Sequence, residues 1–382
     1  MKVLSVFGTR PEAIKMAPVV SGLRRFEGID GRVCVTAQHR EMLDQVLELF
    51  GIAPDVDLDV MTEDQSPRGV TTCVLEGVNG VLEEERPDLV LVHGDTTTTM
   101  AAALAAFYRK IPVGHVEAGL RTHDRYYPFP EEMNRVLADA LSTYHYAPTR
   151  TARDNLVRGG VDEAGIFVTG NTVIDALLLT ANDPGTPGHG LGIDGRVVLV
   201  TAHRRENFGR PLEDICRALR DVADEFDDVT VVYPVHLNPT VQRTAGAILS
   251  DHERVLLVEP MSYGPFVRLL ADATIVVTDS GGIQEEAPSL GKPVLVLRNE
   301  TERPEAIAAG TVRLVGTDRE RVRSEIARLL TDDEAYSSMA SAVNPYGDGR
   351  AAERILSAIA WTFGLEGAVE PDEFEPVPER AS

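Results

Sequence analysis

Three carboxylates in the first half of the chain fall where short apolar runs end. Asp95 follows Leu89–Val92 and His93-Gly94, Glu117 follows Val113–Val116, and Glu131 opens a helical segment in Pro130-Glu131-Glu132. In parallel α/β domains the strand ends are where catalytic groups gather. Carboxylates converging on one cleft repel each other, which raises the pKa of at least one and makes it a usable acid or base. Taken singly, each reads more simply as a helix cap or salt-bridge partner. Three at successive strand ends, with no metal-ligand spacing around them, favour acid–base chemistry.

Two strand-to-helix turns have the residue types of anion sites. Phe7-Gly8-Thr9-Arg10-Pro11-Glu12-Ala13-Ile14-Lys15 combines a turn glycine, a proline suited to the first helical position and two cations, Arg10 and Lys15. Thr278-Asp279-Ser280-Gly281-Gly282-Ile283-Gln284-Glu285-Glu286 offers Ser280, Gly281 and Gly282 at a helix start, where backbone N–H groups can approach a diphosphate. Glu286, one turn further on, is placed to hold ribose hydroxyls, and Pro288 predicts a short or kinked helix. His203, followed by Arg204 and Arg205, ends another strand and suits phosphate or sugar oxygens; His236 ends the next. The bland readings are plain turns with solvated charges and structural histidines.

These residues need a scaffold that ends its strands on one edge. Strands are expected at Val3–Phe7, Arg32–Thr36, Leu89–His93, Val113–Val116, Thr143–Ala147 and Ile166–Thr169, alternating with helices such as Glu12–Arg25, Arg40–Phe50, Thr97–Tyr108 and Glu131–Leu141. The stretch Asn182–Gly192 has turn chemistry and no periodicity, and reads as an interdomain linker. The alternation then restarts with strands at Val197–Thr201, Val229–Tyr233, Val255–Val258, Thr274–Thr278, Val294–Leu297 and Val312–Val315. Helices are expected between them at Leu212–Ala223, Thr240–Leu249, Gly281–Leu290 and Arg319–Leu330. The pattern predicts two doubly wound parallel sheets in tandem with the ligand in a cleft between them. The tail from Glu366, acidic and proline-rich with one aromatic, is expected to be disordered.

Composition narrows the partners. The 382 residues carry a formal net charge of −23, which excludes a chain held to nucleic acid by charge. Four lysines (Lys2, Lys15, Lys110, Lys292) stand against a large carboxylate excess, and the expectation is a halophilic protein adapted to a high-salt cytoplasm. An ordinary acidic protein of a lysine-poor proteome is the bland alternative. Cys34, Cys73 and Cys216 are far apart and show no ligand spacing, as in a reducing compartment. With no cleavable leader and no membrane-length apolar run, a cytoplasmic protein without a membrane partner is expected.

Taken together, GTRPEAIKMAP, HGDTTTT, GHVEAGLRT, PFPEEMNR, TGNTVIDAL, TAHRREN, YPVHLNP, DSGGIQEEAPSLGKPVL, TERPEA, GTVRLVGT and NPYGDGRA resemble the non-hydrolysing UDP-N-acetylglucosamine 2-epimerases over about residues 1–360. The resemblance implies a GT-B type α/β fold of two Rossmann-like domains with an interdomain active-site cleft. Residues 1–171 would form the N-terminal domain, with a last helix at about 350–364 crossing back onto it. Residues 172–349 would form the UDP-binding domain, and 365–382 the tail. It implies a homodimer and reversible conversion of UDP-GlcNAc to UDP-ManNAc, which supplies ManNAc-type sugars for surface polysaccharide or glycan synthesis. The hydrogen on sugar C2 has no neighbouring carbonyl to acidify it, so UDP must be eliminated to 2-acetamidoglucal and added back. On this reading Asp95, Glu117, Glu131 and His203 are catalytic, and Arg10, Lys15, Phe266, Ser280, Gly281, Gly282, Glu286 and Arg303 bind the UDP-sugar. No metal and no nicotinamide cofactor is implied. The runner-up is a GT-B UDP-sugar glycosyltransferase; a hydrolysing epimerase and a UDP-sugar sensor rank lower.

Some members of that family also have a regulatory UDP-GlcNAc site beside the active site, and Gln38, Glu131, Arg205 and His236 match it. The chain departs at Glu41, where Gln is usual, and at Asp64, where Arg is usual. Two contacts to an anionic effector thus become negative, so activation by substrate is expected to be weak or absent. Initial rates should follow a hyperbola; a sigmoidal curve that a trace of UDP-GlcNAc makes hyperbolic would overturn this.

Overall fold

The runs Leu89–Val92 and Val197–Val200 are apolar at every position and have no face to show to water, so helices must cover them on both sides. All eight residues are at most 4% exposed, in the interior of two parallel sheets. The structure, a computed structural model, describes residues 1–37, 40–60, 66–301 and 303–376.

The first sheet contains β1 (Lys2–Phe7), β2 (Asp30–Val35), β3 (Val56–Asp57), β4 (Leu89–His93), β5 (Val113–Val116), β6 (Tyr144–Ala147) and β7 (Ile166–Val168), in the order β3-β2-β1-β4-β5-β6-β7. The second contains β8 (Arg196–Thr201), β9 (Val229–Pro234), β10 (Val255–Val258), β11 (Ile275–Thr278), β12 (Val294–Val296) and β13 (Val312–Leu314), in the order β10-β9-β8-β11-β12-β13. The helices are α1 (Arg10–Arg25), α2 (Arg40–Leu49), α3 (Pro67–Glu85), α4 (Thr97–Tyr108), α5 (Glu131–Leu141), α6 (Arg150–Arg158), α7 (Thr172–Asn182), α8 (Arg210–Glu225), α9 (Pro239–Leu249), α10 (Tyr263–Asp272), α11 (Gly281–Glu286), α12 (Pro304–Ala309), α13 (Arg319–Thr331), α14 (Asp333–Ala340) and α15 (Ala351–Thr362). Expected and observed strands agree within about two residues; β3 was not expected, because two residues carry no periodicity.

Two units emerge, Met1–Ala176 with Tyr346–Glu375, and Leu177–Pro345. In the first, alanines of α4 pack with Val70, Val74, Val78 and Val81 of α3 over Val90 and Val92. In the second, Leu212, Ile215, Leu219 and Val222 of α8 cover Val198, Val231 and Tyr233.

Two expectations need correction. The change of unit falls inside α7 rather than in the glycine-rich stretch from Asn182 to Gly192. That stretch belongs to the second unit. Thr186 is buried with its hydroxyl on Thr180 O at 2.8 Å, and the Arg268 guanidinium donates to Ala181 O (2.7 Å) and Asp183 O (2.5 Å). Turn chemistry marks a loop but does not say which carbonyls find donors.

The tail from Glu366 to Glu375 belongs to the first unit, because one aromatic and a few charges outweigh its polar average. Phe374 is 2% exposed, its N–H donates to Val168 O at 2.8 Å beside β7, and the Arg354 guanidinium lies 5.5 Å from its ring. Arg354 also binds Asp348 and Asp372, and Arg150 pairs with Glu375. Phe374→Ala is expected to lower unfolding free energy by about 3 kcal/mol in denaturant titration. A change within about 0.5 kcal/mol, usual for surface sites, would place the tail in solvent.

Candidate active site

Each sheet has a point where connections leave to opposite sides, β1/β4 in the first and β8/β11 in the second, and ligands of such folds bind outside the carboxyl ends there. The sequence-predicted site residues cluster at these two places.

At the first, Gly8 is obligatory, since a Cβ there would lie 2.0 Å from Thr36 Oγ1. Thr9 caps α1, and Glu12 completes a capping box. The Glu12 carboxylate is buried and reaches further than a cap. One oxygen accepts the Gly8 and Thr9 N–H groups at 3.1 and 2.7 Å, and the other accepts the hydroxyls of Thr96 and Thr99 at 2.7 and 3.3 Å. It therefore ties the loop after β1 to the loop after β4. Burial raises its pKa, against those hydrogen bonds. Arg10, the first residue of α1, is exposed.

Asp95 follows Gly94, whose φ of +67° suits glycine. Its carboxylate pairs with Arg135 and its carbonyl accepts from Asn134 Nδ2 at 3.0 Å, both on α5. Glu117, itself at φ +62°, ends β5 and pairs with Lys15. A Cβ on Gly94 would sit 3.9 Å from Glu117 Oε1, so the Asp95 loop and Glu117 adjoin. His93 is buried with Nε2 3.8 Å from Glu117 Oε2, and burial pushes its pKa down to about 3. Glu131 is the first residue of α5, one helical turn before Arg135 and thus on the same face. It is half-buried, and no group among the described residues hydrogen-bonds its side chain. Its neighbour Glu132 turns inward and accepts the N–H groups of Thr122 and His123, each at 3.0 Å.

The three predicted carboxylates therefore share one sheet edge. The expected mutual repulsion between them is not the arrangement found: Asp95 and Glu117 each sit beside a cation. Lys15, expected on the nucleotide, lies on Glu117.

At the second switch point Asp279, fully buried, accepts His203 N–H (2.9 and 3.1 Å), Arg204 N–H (2.8 Å) and Asn207 Nδ2 (3.0 Å). This fixes the loop carrying His203, whose ring stacks on His236 at 5.4 Å and whose Nδ1 is 3.6 Å from Asp279. Partial burial lowers the His203 pKa against the pull of Asp279. Ser280 donates its N–H to Thr278 Oγ1, and α11 ends at Glu286 in a 3₁₀ turn that contains Pro288. Glu286 folds back, since a Cβ on Gly282 would be 3.3 Å from its Oε1. Arg303 is held by the buried Glu285, and Phe266 lies half-buried on α10. Gly281 starts α11. Of the residues matched to a regulatory site, Arg205 and His236 are exposed, and Gln38 lies outside the described residues, as does Asp64. Among the described residues no group of His, Cys, Asp and Glu is arranged to hold a metal, and no helix is long and apolar enough to cross a membrane.

Residues 21–360 match the family model for UDP-N-acetylglucosamine 2-epimerase. The chain belongs to the UDP-N-acetylglucosamine 2-epimerase family. A UDP-N-acetylglucosamine 2-epimerase from Escherichia coli K12 is 56% identical over 374 residues, 94% of this chain and 98% of that protein. The crystal structure of UDP-GlcNAc 2-epimerase from Neisseria meningitidis bound to UDP-GlcNAc is 49% identical with a TM-score of 0.82, covering 94% of this chain and all of that one. That of Methanocaldococcus jannaschii UDP-GlcNAc 2-epimerase in complex with UDP-GlcNAc and UDP is 33% identical with a TM-score of 0.77 over the same shares. A glycosyltransferase, that of kitacinnamycin, shares only the fold, at 16% identity and a TM-score of 0.64. The fold is the GT-B type, with two Rossmann-like units.

In this epimerase the residues that sequence reasoning missed are those that position others: Glu12, Arg135, Asp139 and Asp279. Glu12 had a readable signal, the Thr9-x-x-Glu12 spacing of a capping box; the others depend on partners far along the chain. Glu12→Gln can keep its oxygen on the two N–H groups while the threonine hydroxyls turn to accept, at a cost of about 1 kcal/mol. Glu12→Ala strands the Gly8 and Thr9 donors and should cost about 3 kcal/mol or more. Equal losses for the two variants in chemical denaturation would show that the carboxylate does not bridge the loops.

Proposed function

We propose that the chain interconverts UDP-GlcNAc and UDP-ManNAc. The observation that carries this reading is the placement of Asp95, Glu117 and the Glu131 end of α5 on one sheet edge, in a member of the UDP-N-acetylglucosamine 2-epimerase family.

A base takes the C2 proton, the C2–H electron pair becomes the C1=C2 double bond, and UDP leaves with the C1–O pair. The product is 2-acetamidoglucal. In the return step UDP oxygen adds to C1 and a proton arrives at C2 on the opposite face. Elimination and re-addition move a proton and the C1–O electron pair and transfer no hydride, so this route calls on no redox cofactor. Glu117 beside Lys15 and Asp95 beside Arg135 are the carboxylates placed to act as proton acceptors. Glu131 and His203 complete the acid–base set. UDP is held by the Ser280 side chain and the N–H groups of Gly281 and Gly282 at the start of α11, by Glu286 on the ribose and by Arg303, with Phe266 against the uracil. Arg10 meets the charge that develops on the departing diphosphate, while Lys15 is paired with Glu117.

The product supplies ManNAc-type sugars for surface glycans. The protein works as a homodimer in a high-salt cytoplasm, and it uses neither nucleic acid nor a membrane as partner. The net charge of −23 supports the salt and the nucleic-acid readings. The family resemblance supports the dimer.

Incubated with UDP-GlcNAc in deuterated water without an acceptor, the enzyme should yield UDP-ManNAc carrying deuterium at C2, read by NMR. Epimer lacking solvent deuterium excludes the elimination, net free sugar indicates hydrolysis, and no turnover favours a transferase or sensor. Glu117→Gln should lower kcat by about 10²–10⁴-fold; full activity would remove Glu117 from the catalytic set.

A further inference from the structure

His115 stands in the middle of β5, fully buried, two residues before Glu117. Its Nδ1 lies 2.6 Å from Asp139 Oδ1 on α5, and its Nε2 lies 2.7 Å from the carbonyl oxygen of Gly94. A backbone carbonyl only accepts hydrogen bonds. Asp139 also accepts, because Arg121 donates to its other oxygen at 2.5 Å. Although burial works to raise the Asp139 pKa, the facing His115 and Arg121 hold it below the usual carboxylate range. A neutral imidazole has one N–H and satisfies one of these two oxygens; the other would face a lone pair at hydrogen-bond distance. Both contacts are satisfied only when both ring nitrogens carry protons.

We propose that the His115 ring donates from both nitrogens, to Asp139 and to the Gly94 carbonyl, and so positions the Gly94-Asp95 turn, and through it Asp95, beside Glu117. This rests on the epimerase reading only for the roles of Asp95 and Glu117. Gly94 is the residue whose left-handed backbone turns the chain out of β4. Its N–H already donates to Val116 O at 2.9 Å, and the imidazolium fixes its other end. The charged groups that face His115 come from every neighbouring element. They are Asp139 on α5, Arg121 on the loop after β5, His145 opposite it on β6 and His93 at the end of β4. Asp139 is the anion in direct contact with the ring, and Glu117 stands two residues further along the chain. Both neighbouring histidines have lowered pKa values, through burial first and with the charge of His115 adding to it. His115 thus carries the charge and its neighbours stay neutral. The same helix that presents Glu131 and Arg135 therefore also holds Asp95 from behind, through Asp139 and His115. His115 touches no reacting atom in this account and is a positioning residue.

The test uses the full chain labelled with ¹⁵N at histidine. At about pH 8, well above the ordinary imidazole pKa of about 6.5, one histidine should show both ring nitrogens at protonated positions. His115 has both within hydrogen-bond distance of oxygen acceptors. That signal should vanish in His115→Asn. Absence of any doubly protonated histidine from the wild-type spectrum overturns the proposal even if no variant folds. His115→Asn and Asp139→Asn should lower kcat about 100-fold, the cost of a misplaced catalytic group, with KM for UDP-GlcNAc within about twofold. Folded variants with unchanged kcat would overturn the positioning role. If wild-type protein fails to turn over UDP-GlcNAc, the epimerase reading fails, while the protonation of His115 is still decided by the spectrum.

Discussion

Both sheets depend on one device, a buried carboxylate that bridges two loops at the point where the strand order reverses. A parallel sheet ends its strands in free N–H groups and hydroxyls on the carboxyl edge, and these have no ladder partners. Glu12 gathers such donors from the loops after β1 and β4, and Asp279 gathers them from the loop after β8 while itself ending β11. A buried carboxylate without donors would be costly; one with several charge-assisted hydrogen bonds fixes every loop that supplies them. Asp95 in one unit and His203 in the other are carried on these loops.

Around that bracing, α5 serves as a second frame. Its first turn offers Glu131 and uses Glu132 to hold the Thr122–His123 backbone; its next turn sets Asn134 and Arg135 on Asp95, and Asp139 reaches His115. One helix thus fixes several groups whose relative positions would otherwise rest on separate loops. The scarce cations follow the same logic. In a chain of net charge −23, Lys15, Arg135 and Arg303 are each held by a specific carboxylate. Each pair sets a fixed cation against Asp95 or Glu117 in place of bulk counter-ions.

Much of the frame was legible because its signals are local. Apolar runs such as Leu89–Val92 read directly as buried parallel strands, and the glycines and Pro288 around α11 read as a short helix at a close approach. The polar residues at strand ends stood out by position alone. What was not legible depends on partners distant in sequence. Asp139 is separated from His115 by 24 positions, and Asp279 from Arg204 by 75. The linker and tail failed for a related reason: composition averages over a segment, whereas Thr186 and Phe374 are fixed by single contacts to Thr180 and Val168.

By itself the sequence determined the alternation of strands and helices, the two glycine-bearing strand-to-helix turns, the positions of the three carboxylates and the family, since periodicity and motif are properties of neighbouring residues. Only the tertiary structure decided which charges meet. It placed Lys15 on Glu117, Arg135 on Asp95, and His115 between an anion and a carbonyl. The physical reason is that protonation state and charge pairing are set by distance and burial, and neither exists until the strands are stacked side by side.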